Sequence, residues 1–167
     1  MEIKLPIDNK DINKIKIGDS LLITGKIYTG RDAVLPRICE QIKDDTINDY
    51  DFDLKGSAIF HTAVSSAGIG PTSSNKVEIE DSIPVLSKFG VKVHLGKGKI
   101  SDKTISSLEE SNSIYAVVAP VSAFLKSKVI SKRLVAFEEL GMEAMYELVV
   151  EKFPAVVAAA HGKSIYK

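Results

Sequence analysis

The sequence has a single cysteine, Cys39, and no tryptophan among its 167 residues. One cysteine can neither close an internal disulfide nor hold a metal cluster by itself. Free cysteines are usually small buried residues, so we expect Cys39 to lie in a helix that contains Leu35–Ile42. The alternative role for Cys39 is that of a nucleophile or a redox thiol.

The chain also lacks net charge, because Lys and Arg together number 22 and Asp and Glu together number 22. No overall field would attract nucleic acid or an anionic membrane. The longest apolar run, Ala155–Ala160, is too short to span a bilayer, and Met1–Pro6 lacks the apolar stretch of a signal peptide. We therefore expect a cytoplasmic protein with no nucleic-acid or membrane partner.

Complete catalytic signatures are missing as well. His61, His94 and His161 do not have the spacing of metal ligands, so we predict no metal on this chain. We expect His61 and His94 to be structural residues of strands, with their hydrogen bonds satisfied. Gly96-Lys97-Gly98 lacks the Gly-x-x-x-x-Gly-Lys-Ser/Thr spacing of a phosphate loop, which makes nucleotide binding a weak alternative.

The residues that are present indicate one domain over residues 1–167, since 44% are hydrophobic and 26% are charged. Alternating and apolar runs predict strands at Ile3–Ile7, Ser20–Tyr28, Ser57–Val64, Val91–Leu95, Ser113–Ala119, Leu134–Phe137, Ala144–Val150 and Ala155–Ala160. Cap signals predict helices from Asp32 to Ile42, from Asp81–Pro84 to Gly90, and from Ser101 or Asp102 to Leu108. This order predicts an α/β (mixed α+β) domain with a mixed, partly parallel sheet.

Three loops that follow predicted strands carry unusual residues: Thr29–Asp32, Ser65–Ser74 and Gly96–Gly98. Ligands of α/β sheets bind at such loops. In the second loop, the run Gly70-Pro71-Thr72-Ser73-Ser74 combines a flexible residue, a rigid residue and three hydroxyls. These hydroxyls can cap a helix N-terminus, where free N–H groups attract an anion, and helix capping alone is the alternative.

Cations accompany these hydroxyls. Arg31 follows a glycine at a strand end, and its planar fork suits a carboxylate. A salt bridge from Arg31 to Asp32 or to another nearby acid is an equal alternative. Lys97 lies between two glycines, so its backbone can approach a ligand closely, although a solvent-exposed turn lysine explains it equally well. Lys76 is a third possible charge partner.

Taken together, these motifs make the chain resemble the β subunit, equivalent to the C-terminal domain, of the class I fumarase and L(+)-tartrate dehydratase family. The resemblance runs from about Gly18 to Lys163. It depends on the order and spacing of Thr29-Gly30-Arg31-Asp32-Ala33, Gly70-Pro71-Thr72-Ser73-Ser74, Gly90-Val91-Lys92, Gly96-Lys97-Gly98, Glu139-Leu140-Gly141-Met142-Glu143-Ala144 and Phe153-Pro154-Ala155.

The resemblance implies a swivelling β/β/α-type domain and a reversible anti addition of water to a dicarboxylate alkene. It implies a 4Fe-4S cluster that is held by the cysteines of a separate α subunit and acts as a Lewis acid, and none on this chain. The expected assembly is α2β2. By similarity, Thr72 is the catalytic hydroxyl. The substrate-binding residues implied by this resemblance are Arg31, Lys76, Lys97, Gly70 and Ser73.

The chain departs from the family pattern at two of these positions. Leu35 stands where the family has the histidine of Arg-Asp-Ala-Ala-His, and Lys76 stands where it has an arginine. Lysine keeps the charge of arginine and loses its bidentate fork. These departures leave a second hypothesis open, in which the chain is a non-catalytic or divergent paralogue that binds an organic anion or scaffolds a partner.

Overall fold

The computed structural model of the chain describes residues 1–65, 68–72, 76–119 and 122–166. The strands in these ranges are β1 (Glu2–Lys4), β2 (Ser20–Thr29), β3 (Ala58–Phe60), β4 (Thr62–Ser65), β5 (Gly68–Thr72), β6 (Val93–Gly96), β7 (Ile114–Val117), β8 (Val129–Ala136), β9 (Met145–Ala160) and β10 (Lys163–Ser164). The helices are α1 (Asn9–Ile12), α2 (Leu35–Lys43), α3 (Lys76–Phe89), α4 (Asp102–Glu110) and α5 (Ser122–Lys126). Short 3-10 turns span Ile47–Asp49 and Glu138–Glu143.

Five strands close into a ring. β2, β3, β6 and β7 are parallel neighbours in that order, and the long antiparallel β9 pairs with both β7 and β2. β1 adds to the outer edge of β2, and β8 and β10 pair with β9. β4 and β5 form a separate antiparallel hairpin. The predicted α/β class with a mixed, partly parallel sheet is therefore confirmed.

Alternation along the strands separates an inner core from an outer layer, because successive side chains of a strand point to opposite faces. Phe60 of β3 packs in the main core, where its ring meets Phe153 edge to face with centroids 5.5 Å apart. The preceding residue, Ile59, belongs instead to a second cluster with Leu35 and Ile38 of α2. Hydrophobic burial on both faces thus fixes β3 between the barrel interior and a helix layer. Among the described helices, none has the length and apolar character needed to cross a membrane.

β9 runs without a break through Pro154, so the prediction that this proline separates two strands is wrong. Proline has no N–H to give to a neighbouring strand and is tolerated where no partner needs one. Pro154 lies opposite Leu22 of β2, whose own N–H donates to the carbonyl of Met1 at 2.9 Å. The other edge of β9 pairs with β8 up to Val150 and with β7 from Val156, so Pro154 falls in the gap between them.

α2 begins at Leu35, with Val34 as the N-cap residue, so the prediction of Asp32 as its cap is wrong. The helix contains Pro36 in its first turn, where no N–H is required. A helix capped by Asp32 would instead place Pro36 where its missing N–H is needed.

α3 begins at Lys76, five residues before the predicted start at Asp81, and it contains Pro84 in its interior. An interior proline removes one hydrogen bond of the helix. The fully buried side chains of Ile83 and Leu86 pack into two core clusters and hold this part of the helix against the domain.

Candidate active site

The carboxyl ends of the four parallel strands form one edge of the barrel. Gly30, which follows β2, donates its N–H to the carbonyl of Phe60 at 3.0 Å. His61, which follows β3, donates its N–H to the carbonyl of Leu95 at 2.9 Å. Neighbouring strands lie about 4.8 Å apart, so the loop after β2 and the loop after β6 are separated by about 10 Å.

The hairpin of β4 and β5 rises from the same edge. Its strands pair Thr62 with Thr72, and Thr62 directly follows His61. The backbone of Gly70 and Thr72 therefore lies in β5, and Lys76 begins α3. Ser73 lies outside the described residues, as do the side chains of Thr72 and Lys76. The structure thus places the predicted catalytic segment by its backbone, beside the strand ends.

Arg31 lies just past the end of β2 and is bound to a carboxylate. Its Nε donates to both carboxylate oxygens of Glu143, at 2.9 Å and 3.0 Å, and its Nη2 donates to Oε1. The two side chains are 23% and 26% exposed. The hydrogen bonds to Glu143 raise the pKa of Arg31 above its usual value. The salt bridge left open by the sequence is present, and its acid is Glu143.

Glu143 is a site-edge residue that sequence reasoning did not assign. It closes the 3-10 turn Glu138–Glu143, which contacts β4. A second ion pair joins the same turn to α2, between Arg37 Nη1 and Glu139 Oε1 at 3.0 Å. The only sequence signal for Glu143 was its place in the motif Glu139-Leu140-Gly141-Met142-Glu143-Ala144, since it lies 112 residues from Arg31.

Lys97 leaves the end of β6 and is exposed. The glycines on either side have different physical roles. A side chain at Gly96 would lie only 3.0 Å from the hydroxyl of the buried Tyr115. Gly98 has φ of +76°, a left-handed conformation that favours glycine. Both glycines therefore fix the path of the loop, which holds the Lys97 ammonium on the same edge as Arg31.

Leu35, the departure at the family's histidine, is fully buried. Its Cδ2 packs so closely on Gly30 that a Cβ at this glycine would lie 2.8 Å from it. The contact makes this part of the edge apolar. Leu35 therefore serves the outer core and offers no polar group to a ligand.

Three polar side chains form a buried chain beneath the edge. His61 Nε2 lies 3.3 Å from His94 Nδ1, and His94 Nε2 lies 2.8 Å from Ser87 Oγ. Both rings are fully buried; burial lowers the pKa of His61 to about 4, and burial together with His61 lowers the pKa of His94. The expectation of satisfied histidines holds for His94 and is wrong for His61, because its buried Nδ1 has no hydrogen-bond partner.

Cys39 is buried on α2, as expected, with its thiol 3.9 Å from the carbonyl of Ser82. Burial raises the pKa of this thiol. Among the described residues, no group of three or more His, Cys, Asp and Glu side chains could hold a metal ion. The residues of this chain therefore do not fit an iron–sulfur cluster.

A parallel-stranded barrel with this edge matches a known family over its whole length. The family model Fumarase C-terminus covers residues 1–167, and the chain belongs to this family. The identification agrees with the resemblance seen in the motifs, which concerned the β subunit of class I fumarases and tartrate dehydratases.

Three relatives show how the chain corresponds to longer proteins. It is 34% identical to a Methanocaldococcus jannaschii protein with the provisional name L(+)-tartrate dehydratase subunit beta, over 96% of this chain and 88% of that protein. It is 27% identical to the L(+)-tartrate dehydratase subunit beta of Escherichia coli K12, over 96% and 83%. A Geobacillus stearothermophilus protein provisionally named fumarate hydratase class I is 30% identical, over 99% of this chain, which spans only 33% of that protein.

Proposed function

We propose that this chain is the β subunit of a hydro-lyase that adds water reversibly to a dicarboxylate alkene. The substrate is fumarate, giving malate, or a related hydroxy-dicarboxylate. The chain works with an α subunit in an α2β2 assembly in the cytoplasm. Relatives named as tartrate dehydratase β subunits and as a fumarate hydratase support this reaction class.

The observation that carries the proposal is the convergence of two cations and the Thr72 hairpin on one edge of the barrel. Arg31 and Lys97 follow strands that are two positions apart in the sheet. A dianion needs two positive groups at such a spacing, one for each carboxylate. The fork of Arg31 already holds the carboxylate of Glu143, which supports its suitability for carboxylate binding.

In this proposal each motif has a separate task. Arg31 and Lys97 bind the two substrate carboxylates, and Lys76 adds a third positive charge at the start of α3. Gly70 and Ser73 offer backbone and hydroxyl groups on either side of Thr72. The Thr72 hydroxyl transfers the proton, paired with an acidic residue of the α subunit.

The 4Fe-4S cluster belongs to the α subunit in this proposal. The one cysteine of this chain is buried against a backbone carbonyl, so its thiol does not meet the requirements of a cluster ligand. We therefore assign the cluster ligands to the partner and the carboxylate-binding edge to this chain.

The test is an anaerobic assay of malate and tartrate dehydration with this chain and its α subunit expressed together. We expect activity only when both chains and iron are present. Full activity from this chain alone, without iron, would refute the proposal. Thr72→Ala should lower kcat by a factor of about 100 or more while assembly stays intact.

Thr46→Ala provides a matched control. Thr46 follows the C-terminal end of α2, and its hydroxyl contacts only Gln41 in the recorded hydrogen bonds. This variant removes the same methyl and hydroxyl groups at the opposite end of the helix from Arg31. It should retain the wild-type kcat, and a Thr72→Ala enzyme with the same rate would remove Thr72 from the mechanism.

A second candidate function is binding of an organic anion without turnover. The apolar contact between Leu35 and Gly30 favours it, because a polar family position has become part of the core. Calorimetric titration with fumarate, malate and tartrate separates the two functions. Binding by an assembled complex that shows no dehydration of any of these acids would support the second candidate.

A further inference from the structure

The buried chain Ser87–His94–His61 joins three elements that lead to the proposed site. Ser87 lies on α3, the helix that begins at Lys76. His94 lies on β6, three residues before Lys97. His61 precedes Thr62, whose strand partner is Thr72. The elements that carry the three predicted side chains are therefore tied together by two hydrogen bonds beneath the edge.

A polar chain at this place is an expensive way to fill a core. Each buried polar atom without a partner costs about 1–3 kcal/mol, and the Nδ1 of His61 is such an atom. Apolar side chains of similar shape would avoid this cost and could pack between the same elements at little or no loss. Buried polar groups with an unmet hydrogen bond call for an explanation other than stability.

The hydrogen bonds allow two arrangements of protons. In one, His61 Nε2–H donates to His94 and His94 Nε2–H donates to Ser87, so the open Nδ1 of His61 is an acceptor. In the other, Ser87 donates to His94 and His94 Nδ1–H donates to His61, so the open Nδ1 carries a proton. A hydroxyl group or a water molecule fits both arrangements because it can donate as well as accept.

We propose that Ser87, His94 and His61 are positioning residues for the Thr62–Thr72 strand pair, and that His61 Nδ1 binds a hydroxyl group or water in the assembled enzyme. This inference rests on the proposed hydro-lyase function. It assigns a role to two histidines outside the family motifs. The chain fixes the hairpin relative to Lys97, and the open nitrogen receives its partner when the α subunit and substrate complete the site.

The shape of the amide side chains gives a sharp test. In His61→Gln the amide nitrogen can take the place of Nε2 and keep the bond to His94, while nothing replaces Nδ1. We expect an unchanged free energy of unfolding, an unchanged KM and a kcat lower by a factor of roughly 10, because a displaced catalytic group slows the chemical step. In the double variant His61→Leu/His94→Leu, we expect equal or higher stability and a kcat lower by a factor of roughly 100.

His161→Gln is the matched control. Its Nε2 lies 2.7 Å from the carbonyl of Ile15, a contact that glutamine can retain. His161 follows the C-terminal end of β9, which is antiparallel to β2 and so lies at the end of the barrel away from Arg31. This variant should keep the wild-type stability and kcat.

The outcomes separate this inference from the proposed function. Wild-type kcat in both His61 variants overturns the inference, and so does a loss of kcat that only follows a loss of stability. If the wild-type complex has no hydro-lyase activity, the proposed function fails, and backbone NMR of the isolated chain decides the positioning role. Amide shifts in His61→Gln that reach Thr72 and Lys97 support it, whereas shifts confined to residues that touch His61 overturn it.

Discussion

The bond between Arg31 and Glu143 should stabilise the fold far more than its neighbour between Arg37 and Glu139. Both pairs join α2 or the turn before it to the 3-10 turn Glu138–Glu143. They differ in burial and in geometry. Double-mutant cycles built from alanine variants of each pair isolate the two coupling energies, because contacts with other residues cancel within a cycle.

The structure gives the expected magnitudes. The side chains of Arg31 and Glu143 are 23% and 26% exposed, and three N–H···O contacts join them. Charge-assisted hydrogen bonds of this kind contribute about 1.5–3 kcal/mol. Arg37 and Glu139 are 45% and 63% exposed and share one contact, for which a coupling of about 0.2–1 kcal/mol is expected.

The assay is urea unfolding of the isolated chain, followed by circular dichroism, for the wild type and the variants of both cycles. Loss of about 2 kcal/mol in Arg31→Ala or Glu143→Ala corresponds to a fall in Tm of about 4–8 °C for a domain of this size. Equal coupling energies in the two cycles would show that burial and bidentate geometry do not set the strength of these pairs, and would refute the reasoning.

Two further predictions concern stability. His61 and His94 are neutral in the fold with lowered pKa values, whereas the unfolded chain takes up protons near pH 6.5, so stability should fall as pH drops from 7 to 5, by about 2 kcal/mol for His61; unfolding by urea at both pH values checks this, and an equal loss in His61→Leu/His94→Leu would contradict it. Ser101 caps α4 by accepting the N–H of Thr104 at 3.2 Å, so Ser101→Ala should lower the free energy of unfolding by about 1 kcal/mol in the same assay, and a loss below about 0.3 kcal/mol would exclude the cap as a stabilising element.

Local sequence was sufficient for the parallel strands. β2, β6 and β7 are short apolar runs bounded by glycine, proline or polar turns, and their predicted ranges overlap the observed ones. Their parallel order then brings Gly30 and Gly96 to one edge, which is why the loops with Arg31 and Lys97 could be grouped from sequence. Periodicity and turn residues carry this information because they act within a few positions of the chain.

Long-range contacts were not accessible in the same way. No local pattern indicates that Glu143 binds Arg31, since the two are 112 residues apart and meet only when β9 pairs with β2. Pro154 misled the strand prediction because its tolerance depends on an absent neighbour on one edge of β9. The open nitrogen of His61 depends on tertiary packing and has no counterpart in sequence spacing.

The two sides of the proposed site are anchored by different physical means. Arg31 is held from the side by a half-exposed turn through an ion pair with Glu143. Lys97 and the Thr72 hairpin stand above the buried pair His61–His94, which is shielded from solvent. Salt weakens an ion pair that water can reach and leaves a buried neutral pair almost untouched. Under the proposed function, rising ionic strength should therefore weaken carboxylate binding at Arg31 before it disturbs the position of Thr72, so that KM rises while kcat stays constant.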